Sequence, residues 1–124
     1  MRTFTGKVAL VTGSVRRVGR AIAEELAAQG AALALHYHGS SAPDVAEALA
    51  ACRAHGIEAE AFQADLADVA AIERLFVAVQ GRFGRLDILV NSASTFQRRR
   101  LMEVTLADWE LTMAVNLTAP FLCT

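Results

Sequence analysis

One stretch, Val8 to Arg20, constrains this chain more than any other: Val-Ala-Leu-Val-Thr-Gly-Ser-Val-Arg-Arg-Val-Gly-Arg. The unbroken apolar run from Val8 to Val11 suits a strand covered on both faces. A short turn bearing Gly13 follows. From Val18 to Ala28, the apolar residues Val18, Ile22 and Leu26 recur at helical spacing, with Glu24, Glu25 and Gln29 turned away. A buried strand, a glycine turn and a helix form the opening of a dinucleotide-binding unit. The helix N-terminus offers unpaired N–H groups and the positive end of the dipole, both suited to a pyrophosphate. Gly13 permits a sharp turn, and Gly19 permits close packing of helix, strand and ligand. An ordinary strand-to-helix loop has the same outline, so the rest of the chain must decide.

Beyond Gly30, which closes this helix, Ala31 to Tyr37 is a second apolar run, followed by the loop His38-Gly39-Ser40-Ser41. Pro43 and Asp44 open a second helix, with Val45, Leu49 and Cys52 on one face and Gly56 at its end. Ile57 to Gln63 is the third strand candidate, running into Ala64-Asp65-Leu66. Asp68 caps a third helix, Val69 to Arg82, whose stripe is Ile72, Leu75, Phe76 and Val79. Leu86 to Val90 is the fourth strand, and Asn91-Ser92-Ala93-Ser94 follows it. Thr105, with Asp108 three residues on, starts a fourth helix that the pattern carries to Thr124. Strands alternating with helices predict an α/β chain with a parallel sheet and helices on both faces. Right-handed crossovers give the strand order 3-2-1-4, with the ligand crevice above Gly13 and Asn91.

Composition narrows the function classes. Net charge is −1 across 124 residues, which gives no reason to expect a nucleic-acid or acidic-membrane partner. No apolar run approaches the ~20 residues of a membrane-spanning helix, and with so short a lead into the first strand no signal peptide is expected. Cys52 and Cys123 lack metal-ligand spacing and read as reduced thiols, so the expected location is cytoplasmic and no metal site is expected. Asn116 to Thr124 stops in mid-pattern, and the fourth strand has no partner for its outer edge, so the expectation is the first half of a larger domain.

Four segments carry a resemblance. Thr12-Gly13 with Gly19 resembles the cofactor loop of short-chain dehydrogenases/reductases, Thr-Gly-x-x-x-Gly-x-Gly, with Arg17 in place of the middle glycine. Ala64-Asp65-Leu66 resembles the segment that meets the adenine ring, and Asp87-Ile-Leu-Val-Asn-Ser-Ala93 resembles the family's Asp-x-Leu-Val-Asn-Asn-Ala-Gly. Asn116 in Val-Asn-Leu matches the helix asparagine that supports the catalytic centre. The resemblance covers the whole chain. It implies a Rossmann-type doubly wound fold truncated after the fourth helix, with residues 1–124 a single incomplete NADP-binding domain. Taken one at a time, Asp65 also suits a solvated turn, Asn91 a strand-end turn and Asn116 a helix surface.

The cofactor can be argued physically. The ribose 2′-OH of NAD is usually held by an acid about 20 residues past the glycines. Here that place holds Tyr37-His38-Gly39-Ser40, with no acid before Asp44. Ser40 can donate to a 2′-phosphate and Arg16 can pair with it, so the expected cofactor is NADP(H). His38 joins this set, although a lone loop histidine is often plain surface. The resemblance assigns Gly13, Val15, Arg16, Arg17, Val18, Gly19, His38, Ser40, Asp65, Leu66, Asn91, Ser92 and Ala93 to the cofactor.

A finer likeness concerns substrate. Leu35-His-Tyr-His-Gly-Ser40 resembles the Leu-His-Tyr-His-Arg-Ser of pteridine reductases, with Gly39 replacing the arginine, and Ala93-Ser94-Thr95-Phe96 resembles their Ala-Ser-Ser-Phe. This implies a dihydropterin or dihydrofolate substrate met by Arg17, Ser94 and Phe96, in a homotetramer when complete. A 3-oxoacyl or other carbonyl reductase of the same family is the alternative, and a non-catalytic nucleotide-binding module is a third. Arg98-Arg99-Arg100 reads as a solvated charge run or as a flank for an anionic substrate tail. The family's proton donor is a tyrosine in Tyr-x-x-x-Lys, aided by a serine. Tyr37 is the sole tyrosine here and has no lysine four residues on. Only Asn116 of the catalytic set is in place.

Overall fold

A computed structural model describes residues 2–124. Four parallel strands lie at its centre: β1 (Val8–Val11), β2 (Ala32–Tyr37), β3 (Ala59–Gln63) and β4 (Ile88–Val90). Their order is β3-β2-β1-β4, as the alternating pattern predicts. The register sets Val11 beside both Leu35 and Val90, so β1 and β4 end level at one rim and β2 runs two residues past it to Tyr37. β1 is wholly buried because helices cover both of its faces.

The helices are α1 (Arg17–Ala28), α2 (Ala42–Arg53), α3 (Val69–Phe83), α4 (Leu106–Met113) and α5 (Ala119–Cys123). On one side of the sheet, Ala23 and Ala27 of α1 and Ala48 and Cys52 of α2 pack against Ala9, Val11, Leu33 and Leu35. On the other, Ile72, Leu75 and Val79 of α3 and Ala119 and Cys123 of α5 meet Leu10 and Ala34. Alternation along β1 and β2 thus feeds two cores from one sheet.

Two details differ from the periodicity. Val18 does not belong to the buried stripe of α1: it is 68% exposed, and the inward face runs through Gly19, Ala23 and Ala27. Small residues take those positions because α1 lies close on the sheet. The fourth helical region is also not one α-helix. A π-helical turn, Ala114–Thr118, separates α4 from α5, so the extra residue falls around Asn116.

Candidate functional site

At the rim where β1 and β4 end lies a cleft of about 860 Å³. Gly13, Arg16, Arg17 and Gly19 form one wall, Ser92 to Thr95 the opposite wall, and the segments His36–Ser40 and Asp65–Leu66 one end. Leu111 and Val115 reach it from the fourth helical region.

The glycine wall is built backbone against backbone. A Cβ on Gly19 would stand 2.1 Å from the Gly13 carbonyl oxygen, and one on Gly13 would stand 2.8 Å from the Ala93 Cα. Gly13 has φ +60, and Arg17 has φ 54, so Arg17 keeps the left-handed conformation of the glycine it replaces. Its side chain is exposed and lines the cleft.

Among the described residues, the head of α1 is the one α-helical start after a loop that lacks a side-chain cap. Ser41 caps α2, Asp68 caps α3, and Thr105 with Asp108 forms a reciprocal capping box on α4. At α1 the N-cap is Arg16, no side chain accepts from the first turn, and that turn holds no acid. Its orphan N–H groups therefore face the cleft with the dipole behind them. Among the described residues, Arg16 and Arg17 form no ion pair. An uncapped helix start, a cradle with no space for Cβ atoms and two unpaired guanidinium groups fit a dinucleotide diphosphate.

Three polar side chains hold the walls. Thr12 Oγ1 accepts from the N–H groups of Ser92 and Ala93, each at 3.0 Å, which fixes the opposite wall to the end of β1. Asn116 grips Thr95 twice at 2.8 Å: Oδ1 accepts from its N–H and Nδ2 donates to its carbonyl. His36 ties the glycine turn. Its Nδ1 accepts from Gly13 N–H at 3.0 Å, and its Nε2 lies 2.9 Å from the Ala64 carbonyl. Since Nδ1 must accept, the proton sits on Nε2. Burial pushes the His36 pKa below its ordinary value, in keeping with a neutral ring.

Gly13, Val15, Arg16, Arg17, Val18, Gly19, His38, Ser40, Asp65, Leu66, Ser92, Ala93 and Ser94 all line the cleft. Val15 and Leu66 are buried there, so they present backbone or a packed surface. The Asp65 carboxylate accepts from Ala67 N–H at 2.9 Å in a local turn. Asn91, Phe96 and Asn116 stand outside the lining. The Asn91 amide donates to Thr124 Oγ1 at 3.4 Å, and Asn116 acts on the cleft through Thr95. Phe96 is 82% exposed, within the irregular stretch from Asn91 to Arg100. In the arginine run, Arg99 pairs with Asp108 at 3.2 Å. His36, Thr95, Leu111 and Val115 were not singled out from sequence. A histidine amid the apolar run of β2 was the available signal for the first of them.

Comparisons with known proteins agree with this geometry. A sequence profile for short chain dehydrogenase matches residues 7–124. The 3-oxoacyl-[acyl-carrier-protein] reductase of Synechocystis is 39% identical over 127 residues, covering 100% of this chain and 50% of that protein. A hydroxynaphthalene reductase of Aspergillus fumigatus is 44% identical over 116 residues, covering 94% of this chain and 42% of that one. A crystal structure of a short chain dehydrogenase from Burkholderia cenocepacia in complex with NADP superposes with a TM-score of 0.93 at 42% identity, over 99% of this chain and 49% of that one. The chain thus spans about half the length of the relatives it matches.

Proposed function

The chain belongs to the short-chain dehydrogenase family, and from that premise we propose that residues 1–124 form a single, incomplete NADP-binding domain of an NADPH-dependent reductase. The observation that carries the reading is the uncapped head of α1, opening onto the cleft between Gly13 and Ala93. On this reading the first-turn N–H groups of α1 take the pyrophosphate. Arg16, His38 and Ser40 surround the adenosine 2′-phosphate, at a place where no acid repels it. Asp65 and Leu66 flank the adenine. Ser92 and Ala93, held by Thr12, run along the nicotinamide half, and Asn91 closes the end of β4.

NADPH supplies a hydride when bound. The residues of this chain orient that hydride donor and shape the space beside it. The proton that completes a reduction comes from a group outside these residues, and Asn116 supports that centre by holding Thr95. Among the described residues no helix is long and apolar enough to cross a membrane. The family resemblance, and not that absence, is the ground for proposing a cytoplasmic homo-oligomer, a tetramer when complete.

For the substrate, a carbonyl compound is the leading reading. It is supported by the 3-oxoacyl reductase relative and by the place of Phe96, which is exposed and outside the lining of the cleft. A dihydropterin or dihydrofolate, reduced at a C=N bond, is the second reading. It is supported by Arg17 and Ser94 at the mouth of the cleft and by the Leu35–Ser40 pattern. The deciding experiment uses the full-length protein. NADPH and NADH are titrated first, and turnover is then compared on a 3-oxoacyl thioester, a simple ketone and dihydrobiopterin. NADPH should bind more tightly than NADH, and a carbonyl substrate should be reduced. Equal use of both nucleotides overturns the cofactor assignment, and turnover of the pterin alone overturns the carbonyl reading.

A further inference from the structure

His36 lies in β2, one strand over from the glycine turn, and its ring is 2% exposed with its residue. Both ring nitrogens are used, on two segments far apart in sequence: Gly13 N–H on Nδ1 and the Ala64 carbonyl at Nε2. Its main chain binds the same turn. Ser14 N–H donates to the His36 carbonyl at 3.0 Å, and His36 N–H donates to Ser14 Oγ at 3.1 Å.

We infer that His36 is a positioning residue, a neutral latch that holds the glycine turn in register with the Ala64–Leu66 segment, so that both ends of the cleft keep one fixed separation. The inference rests on the reading of this cleft as a dinucleotide site. Such a ligand would span from the turn to the segment after β3, so its affinity depends on their spacing being set before binding. Gly13 has no side chain of its own to anchor it, and its left-handed backbone needs an outside partner. An apolar residue at position 36 would leave the half-buried Gly13 N–H and the buried Ala64 carbonyl without their partner.

Only one protonation state serves. A second ring proton would put an N–H against the Gly13 N–H. Of the titratable groups nearby (Arg16 before α1 and Arg17 at its start, Tyr37 at the end of β2 and His38 just past it, Asp65 after β3, Asp68 at the cap of α3 and Arg74 on it), His38 alone acts on it by charge, and it opposes a second proton.

The test uses the full-length protein with His36→Leu and His36→Asn. Asparagine carries its side-chain oxygen near the place of Nδ1 and can accept from Gly13. Nitrogen chemical shifts of labelled histidine in the wild type should show Nδ1 unprotonated and Nε2 protonated. His36→Leu should weaken NADPH binding about tenfold, for the loss of one to two hydrogen bonds, and lower the exchange protection of the Gly13 amide. His36→Asn should recover most of both, even though it loses the Ala64 bond. An Nδ1–H tautomer overturns the latch, as does wild-type NADPH affinity in His36→Leu or an equal loss in both variants. If the wild type fails to bind NADPH, the dinucleotide reading falls. The tautomer and the Gly13 exchange rates in the ligand-free protein then decide the latch by themselves.

Discussion

The two walls of the cleft are made in opposite ways. The glycine wall consists of atoms in contact: Gly19 against the Gly13 carbonyl, Gly13 against Ala93, with Ser14 and Val15 buried behind. The facing wall, Ser92 to Thr95, belongs to a stretch without regular structure that runs on to Arg100 and carries Ser94, and Phe96 beyond the wall, in the open. It is anchored mainly at two points, by Thr12 on Ser92 and Ala93 and by Asn116 on Thr95. A wall shaped by absent side chains tolerates little change. A wall that holds its side chains out on a few anchors can change what it meets without changing the fold.

The sharpest way to break this contrast is Gly19→Ala. The new methyl would meet a backbone oxygen 2.1 Å away, so α1 must shift from the turn. A loss of about 3 kcal/mol in unfolding free energy is expected, at the upper end for overpacking, together with loss of NADPH binding. Urea denaturation of the variant checks it, and near-wild-type stability would mean that the wall is not close-packed. Arg16→Ala, on the same wall but with an exposed side chain, separates shape from charge. Stability should hold, while NADPH affinity falls by about 1.5–3 kcal/mol and NADH affinity stays, because only one cofactor has the extra phosphate. Calorimetric titration with both cofactors reads the difference.

The same contrast explains how much was legible beforehand. Strand order, the cap residues Asp68 and Thr105, and the glycine turn follow from local rules of period, capping and backbone freedom, and each stands where those rules put it. Val18 was misjudged because a period of 3.6 cannot say which edge of a stripe overhangs a cleft. The π-turn at Ala114–Thr118 left no mark in the periodicity, since one added residue in a helix changes the pattern by less than the spread of apolar positions. His36 was passed over because its role lies in bonds to Gly13 and Ala64, contacts that only the assembled sheet creates. Phe96 sits in a stretch without period, where sequence sets no direction.

Anchors on the open wall should matter less than packing on the closed one. Asn116→Ala removes both bonds to Thr95, and because Asn116 is exposed, water replaces part of the loss. About 1 kcal/mol is expected, with faster exchange of the Thr95 amide as its local signature. Acid should reveal the other kind of anchor. Burial holds the His36 pKa below 6.5 in the folded chain, so between the unfolded and folded values the unfolded chain binds the extra proton. Its contribution to stability is complete above pH 6.5 and is lost as pH falls through the folded value. Asp87 and Asp108, held low mainly by Arg85 and by the Thr105 N–H, lose theirs only in stronger acid. Denaturation midpoints should therefore drop below pH ~6.5 in the wild type, and His36→Asn should flatten that first drop. An unchanged drop in the variant would assign it to another group.

The smallest effect is expected where the largest side chain changes. Phe96→Ala would cost about 3–5 kcal/mol in a core. Here the ring is 82% exposed, so little area returns to water and no cavity forms. The unfolding free energy should stay within about 0.5 kcal/mol of the wild type, as for other surface changes. NADPH affinity should also hold, since Phe96 lies outside the lining of the cleft. Substrate binding is where the two walls can be told apart. If a flat heterocycle draws the loop inward, the ring can stack on it, and removing it should weaken dihydrobiopterin by roughly 1–3 kcal/mol, the range for stacking of a base on an aromatic side chain. If the substrate is a ketone or an acyl thioester, the same change should leave KM nearly as it was. A stability loss near the core value would show that Phe96 is covered in the full-length protein and would remove it from the open wall.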